Sequence, residues 1–240
     1  MSKLLLLLFS GAKLSKLLLT VGSMLVSIVA YSFIFGWPYA VGFVGLIFVH
    51  EMGHFLAARQ RGLNVGAPTF IPFVGAWIDL KEQPLNVETE AYVGLAGPWA
   101  GTIGALICYL VARNEGSQLL LALSYSGFFL NLFNLIPLSP LDGGRVTAAL
   151  SPRIWLIGLP MLVALFLYNP SPLLVLVGIL AIPNLIKAWN FDASAPENVR
   201  YYDIPTSTRA GYGLAYLGLA GFLAIMTHDV HGMLGALRGV

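Results

Sequence analysis

The stretch GLIFVHEMGHFLAA, residues 45–58, is apolar at both ends and carries three ionisable side chains in its middle. Residues four apart share one face of a helix, so His50 and His54 can direct both imidazoles at a single metal ion. Glu51 lies beside them, where its carboxylate can accept a proton from an attacking water, and the pattern H-E-x-x-H is typical of zinc peptidases. Ionisable groups within a membrane-spanning segment are costly, and the stretch therefore predicts a functional site.

The composition places this stretch in a membrane protein. The 240 residues are 58% hydrophobic and 10% charged, with a mean hydropathy of +0.80. Soluble domains carry about 25% charged residues, so an ordinary soluble globule, a disordered protein and a nucleic-acid binder are all excluded. The single cysteine, Cys108, excludes an intramolecular disulfide and a cysteine-rich metal site. We expect an all-α polytopic membrane protein.

Apolar runs bounded by proline, glycine and charge predict seven spans, or six if the short fifth run does not cross. The predicted spans are residues 17–35, 39–58, 92–112, 119–137, 154–168, 172–189 and 211–227. We treat residues 1–240 as one integral membrane domain, with a catalytic core at about 39–145 and flanking spans at 17–35, 154–189 and 211–227. The segment before residue 17 is expected to lie at the membrane interface, with a cleaved signal peptide as the less favoured alternative.

The distribution of basic residues predicts the orientation. With the N-terminus in the cytoplasm, eleven of the thirteen Lys and Arg residues face the cytoplasm, and only Arg113 and Arg238 face outward. This bias matches the positive-inside rule. The site at the end of the second span would then lie towards the cytoplasmic side of the cell (inner) membrane.

A second segment, residues 66–78, is apolar but too short and too broken to span the membrane. Its Pro, Gly and β-branched residues favour a short re-entrant β-like segment. Irregular backbone at membrane depth needs protein or a water-filled cavity beside it. We therefore expect this segment to line a cavity and to pair with an extended substrate by strand addition, along the part that keeps its backbone donors, Phe73 to Ile78.

The stretch NLIPLSPLDGG, residues 134–144, offers a third metal ligand. Catalytic zinc usually has three protein ligands, and two histidines supply only two of them. Pro137 and Pro140 cannot continue a regular helix, and Gly143 permits a sharp turn after Asp142. A carboxylate on irregular backbone at the cytoplasmic end of the fourth span would face His50 and His54. A surface aspartate in a cytoplasmic turn is the alternative.

Together, these motifs resemble the site-2 protease family of intramembrane zinc metalloproteases. Residues 134–144 are similar to the family's N-x-x-P…L-D-G signature, and Ala96-Gly97-Pro98 is similar to its Gly-Pro element. The resemblance implies one zinc ion per chain. It also implies a set of site residues: zinc ligands His50, His54 and Asp142, the general base Glu51, and Asn134 as a residue that positions the substrate or its polarised carbonyl. From the predicted spans we expect a minimal member of this family, without a PDZ domain between spans and without a CBS domain after the last.

The resulting hypothesis is an intramembrane zinc endopeptidase that acts in regulated intramembrane proteolysis. A water activated by the metal would cleave within or near transmembrane segments. The expected substrate in the lipid bilayer is a single-pass transmembrane protein or a remnant signal peptide, with no nucleic acid as a partner. The sequence does not indicate the oligomeric state. Two alternatives are a catalytically inactive relative that binds transmembrane helices and a polytopic channel or carrier, which would spread its charges across the bilayer.

Overall fold

The computed structural model of the chain describes residues 2–66, 68–73, 75–77, 84 and 86–238. In these residues nine α-helices and two short strands follow one another. They are α1 (Ser2–Phe35), α2 (Trp37–Gln60), β1 (Thr69–Ile71), β2 (Gly75–Trp77), α3 (Val87–Glu115), α4 (Gln118–Asn134), α5 (Asp142–Ala148), α6 (Trp155–Tyr168), α7 (Pro172–Trp189), α8 (Pro196–Tyr202) and α9 (Thr206–Arg238).

Local sequence explains where the long helices begin and end. Gly36 adopts a φ of 81°, which glycine tolerates, and it separates α1 from α2. Asn86 caps α3 by accepting a hydrogen bond from the Thr89 N–H at 2.9 Å. Gly116, with a φ of 66°, ends α3, and the Ser117 side chain caps α4. These turns are short, so successive helices run back and forth through one bundle.

Five of the helices are long and apolar enough to cross a membrane: α1 over Leu18–Phe35, α2, α3, α7 and α9. Two further apolar helices, α4 with 17 residues and α6 with 14, are shorter. Each predicted span coincides with one of these seven helices. The chain is thus an all-α polytopic integral membrane protein. Helix α1 begins at Ser2, so the N-terminal segment that we expected at the interface continues directly into the first span.

The bundle has a central part and a peripheral part. Helices α2, α3 and α4 pack closely on one another, and α9 packs against α4. Helices α6 and α7 form a separate pair, joined to the rest through α5 and a 3₁₀ turn at Pro152–Ile154. Helix α1 packs on α2 and on β1. A cavity lies between the central helices and the α6–α7 pair.

The strands confirm the predicted β-like segment. β1 and β2 pair in antiparallel fashion, with Thr69 opposite Trp77, Phe70 opposite Ala76 and Ile71 opposite Gly75. The Phe70 side chain is buried and stacks on Phe48 of α2, with ring centroids 6.4 Å apart. This contact places the hairpin beside α2 at Phe48, which lies two residues before the first histidine of the motif.

Candidate metal centre

The motif residues of α2 are buried where the predicted site should be. His50, Glu51 and His54 expose 4%, 8% and 7% of their surfaces. Because they are consecutive or four apart on a continuous helix, both imidazoles and the carboxylate border one cavity. Three ionisable side chains are therefore withdrawn from solvent at membrane depth.

Asp142 reaches the same place from the far end of α4. That helix ends at Asn134, three residues before the predicted end of the fourth span, because Pro137 disfavours helical backbone at the residue before it. Irregular backbone follows up to Asp142, the first residue of α5. A Cβ on Gly143 would lie 2.2 Å from the Leu135 carbonyl oxygen, so only glycine allows this close turn. Asp142 is consequently buried rather than on a surface turn, which excludes the alternative reading of this residue.

The three candidate ligand atoms form a nearly equilateral triangle. Nε2 of His50 and Nε2 of His54 are 3.1 Å apart, and the Asp142 Oδ2 lies 3.1 Å from the first and 3.2 Å from the second. Ligand atoms at about 2.0–2.1 Å around tetrahedral zinc lie about 3.3–3.4 Å from one another. The triangle therefore has the size that a zinc ion requires.

The hydrogen bonds on the outer side of the rings decide what faces the centre of the triangle. His54 Nδ1 lies 2.7 Å from the Val93 carbonyl oxygen, which can only accept, so Nδ1 carries the proton. His50 Nδ1 lies 2.8 Å from Asn131 Oδ1, whose amide nitrogen donates to the Gly127 carbonyl. Two imidazole lone pairs and a carboxylate oxygen thus point at one another. This arrangement is repulsive alone and suits a cation.

The Asn131 amide and the Val93 carbonyl belong to no recognisable sequence motif, and only the packing of the helices brings them to the imidazoles. Gly97 and Gly101 of α3 have the G-x-x-x-G spacing that is typical of closely packed helices. In the structure a Cβ at Gly97 would lie 2.2 Å from His54 Nε2, and one at Gly101 would lie 2.3 Å from Asn131 Oδ1. The small residues of α3 therefore make room for a candidate ligand and for its hydrogen-bond partner.

The cavity beside the triangle has a volume of about 950 Å³. Glu51 and Asn134 line it together with the three candidate ligands. Among the described residues no hydrogen bond involves Glu51, whereas the Asn134 amide donates to the Leu130 carbonyl at 3.1 Å. A carboxylate without a partner is available to exchange a proton with a molecule in the cavity.

Strand β2 forms part of the cavity wall through Ala76. The Phe70 N–H donates to Ser23 of α1 and so points away from β2. Because hydrogen-bonded and non-hydrogen-bonded pairs alternate in an antiparallel ladder, its partner Ala76 also directs its N–H and C=O away from the hairpin. The donor at Phe73 is not available, contrary to our expectation, since it binds Tyr31. Val74 and Ile78 lie outside the described residues.

The polar segment that follows α7, residues 190–208, contributes another part of the cavity wall. Within it, α8 places Glu197, Asn198, Tyr201 and Tyr202 on the cavity. The Tyr201 hydroxyl donates to Glu90 of α3 at 2.6 Å. Burial and the neighbouring Glu90 carboxylate raise the pKa of the Tyr201 phenol, so this donor stays protonated. The loop is thus structured and attached to α3.

The part of the chain that carries the histidine motif matches a known protein family. Residues 38–117 match the model of peptidase family M50. Zinc metalloprotease MJ0392 of Methanocaldococcus jannaschii is 32% identical over 113 residues, which cover 45% of this chain and 32% of the relative. Probable zinc metalloprotease EGY1, chloroplastic, of Arabidopsis thaliana is 28% identical, with coverages of 45% and 28%.

A third relative, putative zinc metalloprotease Rip3 of Mycobacterium tuberculosis, is 31% identical over 118 residues, which cover 46% of this chain and 30% of the relative. The chain spans about a third of the length of the curated relatives it matches. The family match includes the histidine motif of α2, whose geometry suits a metal ion. Over residues 38–117 the chain is thus similar to peptidase family M50, and the three relatives that it matches are described as zinc metalloproteases.

Proposed function

We propose that the chain is an intramembrane zinc endopeptidase that cleaves membrane-protein substrates within or near their transmembrane segments. The observation that carries the proposal is the triangle of His50 Nε2, His54 Nε2 and Asp142 Oδ2, with edges of 3.1–3.2 Å, beside the buried Glu51. These three residues would hold one zinc ion per chain. Residues 39–145 contain all of them and form the proposed core of a single membrane protease domain.

The mechanism assigns one role to each side chain of the site. Bound zinc supplies a Lewis acid that lowers the pKa of water to about 7 and polarises a carbonyl. Glu51 accepts the proton of the attacking water as the new C–O bond forms, and it delivers that proton to the amine as the C–N bond breaks. Asn134 has an amide that can donate to the substrate backbone from the cavity wall. Asn131 and the Val93 carbonyl keep both imidazoles in the tautomer whose Nε2 is free.

The substrate must reach this site in extended form, because an intact helix buries its peptide bonds. Ala76 directs its backbone N–H and C=O away from β1, on the wall of the same cavity. An unpaired strand edge binds an extended segment through main-chain hydrogen bonds. We propose that a single-pass transmembrane protein or a remnant signal peptide pairs with β2 before cleavage.

We propose that the protein lies in the cell (inner) membrane with its N-terminus and the 190–208 loop on the cytoplasmic side. The site would open to the same side. The support is the bias of eleven basic residues to two. Topology reporters fused after Ala195 and after Val240 should give opposite signals. Identical signals would contradict seven spans, and the short α6 would then be the first helix to re-examine.

The test of the function is a comparison of membranes that contain the wild type with membranes that contain Glu51→Gln. Gln has the shape of Glu but cannot accept the proton, so the variant should keep zinc and lose cleavage. Quantitative proteomics should then detect membrane proteins or signal-peptide fragments that accumulate only with the variant. Wild-type turnover by Glu51→Gln, or identical proteomes, would contradict the proposal.

A further inference from the structure

Helix α1 carries a row of hydroxyl groups that the proposed mechanism does not use. Thr20, Ser23, Ser27 and Tyr31 are spaced three, four and four residues apart, so they lie on one face of the helix. Thr20, Ser27 and Tyr31 are buried, although the rest of this span is largely exposed and apolar. Polar side chains grouped on one face of a membrane-spanning helix indicate a specific partner.

The partner is the hairpin beside the candidate site. Three hydrogen bonds join the row to the hairpin backbone: Thr20 Oγ1 donates to the Pro68 carbonyl at 2.6 Å, the Phe70 N–H donates to Ser23 Oγ at 3.1 Å, and the Phe73 N–H donates to the Tyr31 hydroxyl at 3.1 Å. Backbone groups at membrane depth need such partners. The side of β1 that faces away from β2 is therefore occupied by α1.

Tyr31 also supports a strained residue. Phe73 has a φ of 63°, in the left-handed region that a bulky residue rarely adopts. Such a conformation persists only where its surroundings fix it. The Tyr31 hydroxyl binds the Phe73 N–H, and the two rings meet edge to face with centroids 4.9 Å apart. Tyr31 thus holds the turn between the strands.

From this geometry we infer that Thr20, Ser23 and Tyr31 are positioning residues for cleavage. They fix the hairpin so that the edge of β2 that points away from β1 at Ala76 faces the site. The inference rests on the proposed function and deepens it, because it names what aligns the substrate. The hairpin also packs through Phe70 against Phe48, so loss of a hydroxyl leaves the hairpin in place. The hydroxyls set where the strand edge lies and how firmly it is held.

The row contains its own matched control. The Ser27 hydroxyl is buried and has no hydrogen-bond partner among the residues that the structure describes. Ser27→Ala removes the same atom from the same face, between Ser23 and Tyr31, without breaking a bond to the hairpin. Ser23→Ala and Tyr31→Phe each remove one bond, and Tyr31→Phe retains the ring that contacts Phe73. Ser23→Thr keeps a hydroxyl acceptor at position 23.

The experiment measures two properties of each purified variant. Hydrogen exchange of peptides that cover residues 68–77 reports on the hairpin. Steady-state cleavage of a fluorogenic peptide with one apolar span of about 20 residues reports on the reaction. Ser23→Ala and Tyr31→Phe should accelerate exchange and raise KM by about three- to tenfold, the value of one hydrogen bond. Zinc content and kcat should stay near wild type, and Ser27→Ala and Ser23→Thr should match wild type in both measurements.

Unchanged exchange in both Ser23→Ala and Tyr31→Phe would overturn the inference. Faster exchange with an unchanged KM would also overturn it, since the hairpin would then loosen without any effect on the substrate. An equal effect of Ser27→Ala would show that any polar deletion in α1 acts alike, which contradicts a positioning role. If the wild type cleaves no probe, the proposed function fails, and the exchange data still show whether the hydroxyls hold the hairpin.

Discussion

Gly97→Ala should disable the site although residue 97 is neither a proposed ligand nor a proposed base. A Cβ at this position would lie 2.2 Å from Nε2, 2.4 Å from Cε1 and 2.7 Å from Cδ2 of the His54 ring. The ring cannot move away easily, because its Nδ1 is hydrogen-bonded to the Val93 carbonyl at 2.7 Å. Val93 lies on α3, one turn before Gly97. Either His54 leaves this bond or α2 moves away from α3.

The size of the effect follows from the overlap. The optimal separation of non-bonded heavy atoms is about 3.5 Å, so the distance between the new Cβ and the His54 ring must grow by more than about 1 Å. Misplacement of a reacting group by about 1 Å costs on the order of 10²-fold in rate. Because His54 is also a proposed ligand, zinc affinity should fall by at least about tenfold.

The assay compares Gly97→Ala with Gly104→Ala, two turns further along α3. A Cβ at Gly104 would lie 3.2 Å from the end of the flexible Leu46 side chain, which can adjust. Gly104→Ala should therefore keep zinc and activity, and the higher helix propensity of alanine should offset any cost. Stoichiometric zinc and wild-type cleavage in Gly97→Ala would refute the proposed place of His54 in the site.

Two further substitutions separate the metal centre from the substrate edge. Asn131→Leu removes the hydrogen-bond acceptor of His50 Nδ1 at nearly constant side-chain size. Titration with a zinc chelator should detect a loss of about 10–100-fold in zinc affinity. An unchanged affinity would mean that Asn131 only packs helices. Ala76→Pro removes a backbone N–H that points away from β1, so the variant should keep zinc while its cleavage rate falls. The control variant Ala76→Ser keeps the N–H and should behave as wild type. Normal rates in Ala76→Pro would leave the hairpin as a passive wall.

The candidate ligands could be predicted from the sequence because their spacing is local. Four residues separate His50 and His54, and one helix places them on one face. Asp142 was predicted less directly, from prolines and glycines that end a helix at the right side of the membrane. The hairpin was predicted for a similar reason, since its composition excludes a spanning helix.

The supporting contacts could not be predicted, because they join residues far apart in the chain. The bond from His50 to Asn131 connects α2 to α4, and the bond from Ser23 to Phe70 connects α1 to β1. Each depends on how two helices or a helix and a hairpin pack, which no local pattern encodes. The same contacts exclude the Phe73 N–H as a donor to the substrate, because Tyr31 of α1 already binds it, and they leave Ala76 as the proposed pairing position.

The most direct measurement for the metal centre is the zinc content of the purified protein beside that of the double variant His50→Ala, His54→Ala. Both imidazoles present free Nε2 lone pairs to Asp142 in a triangle of zinc dimensions. The wild type should contain one zinc ion per chain, and the double variant should contain none while keeping its helical circular dichroism. Zinc retained at one per chain in the folded double variant would contradict the site on which the proposed protease activity depends.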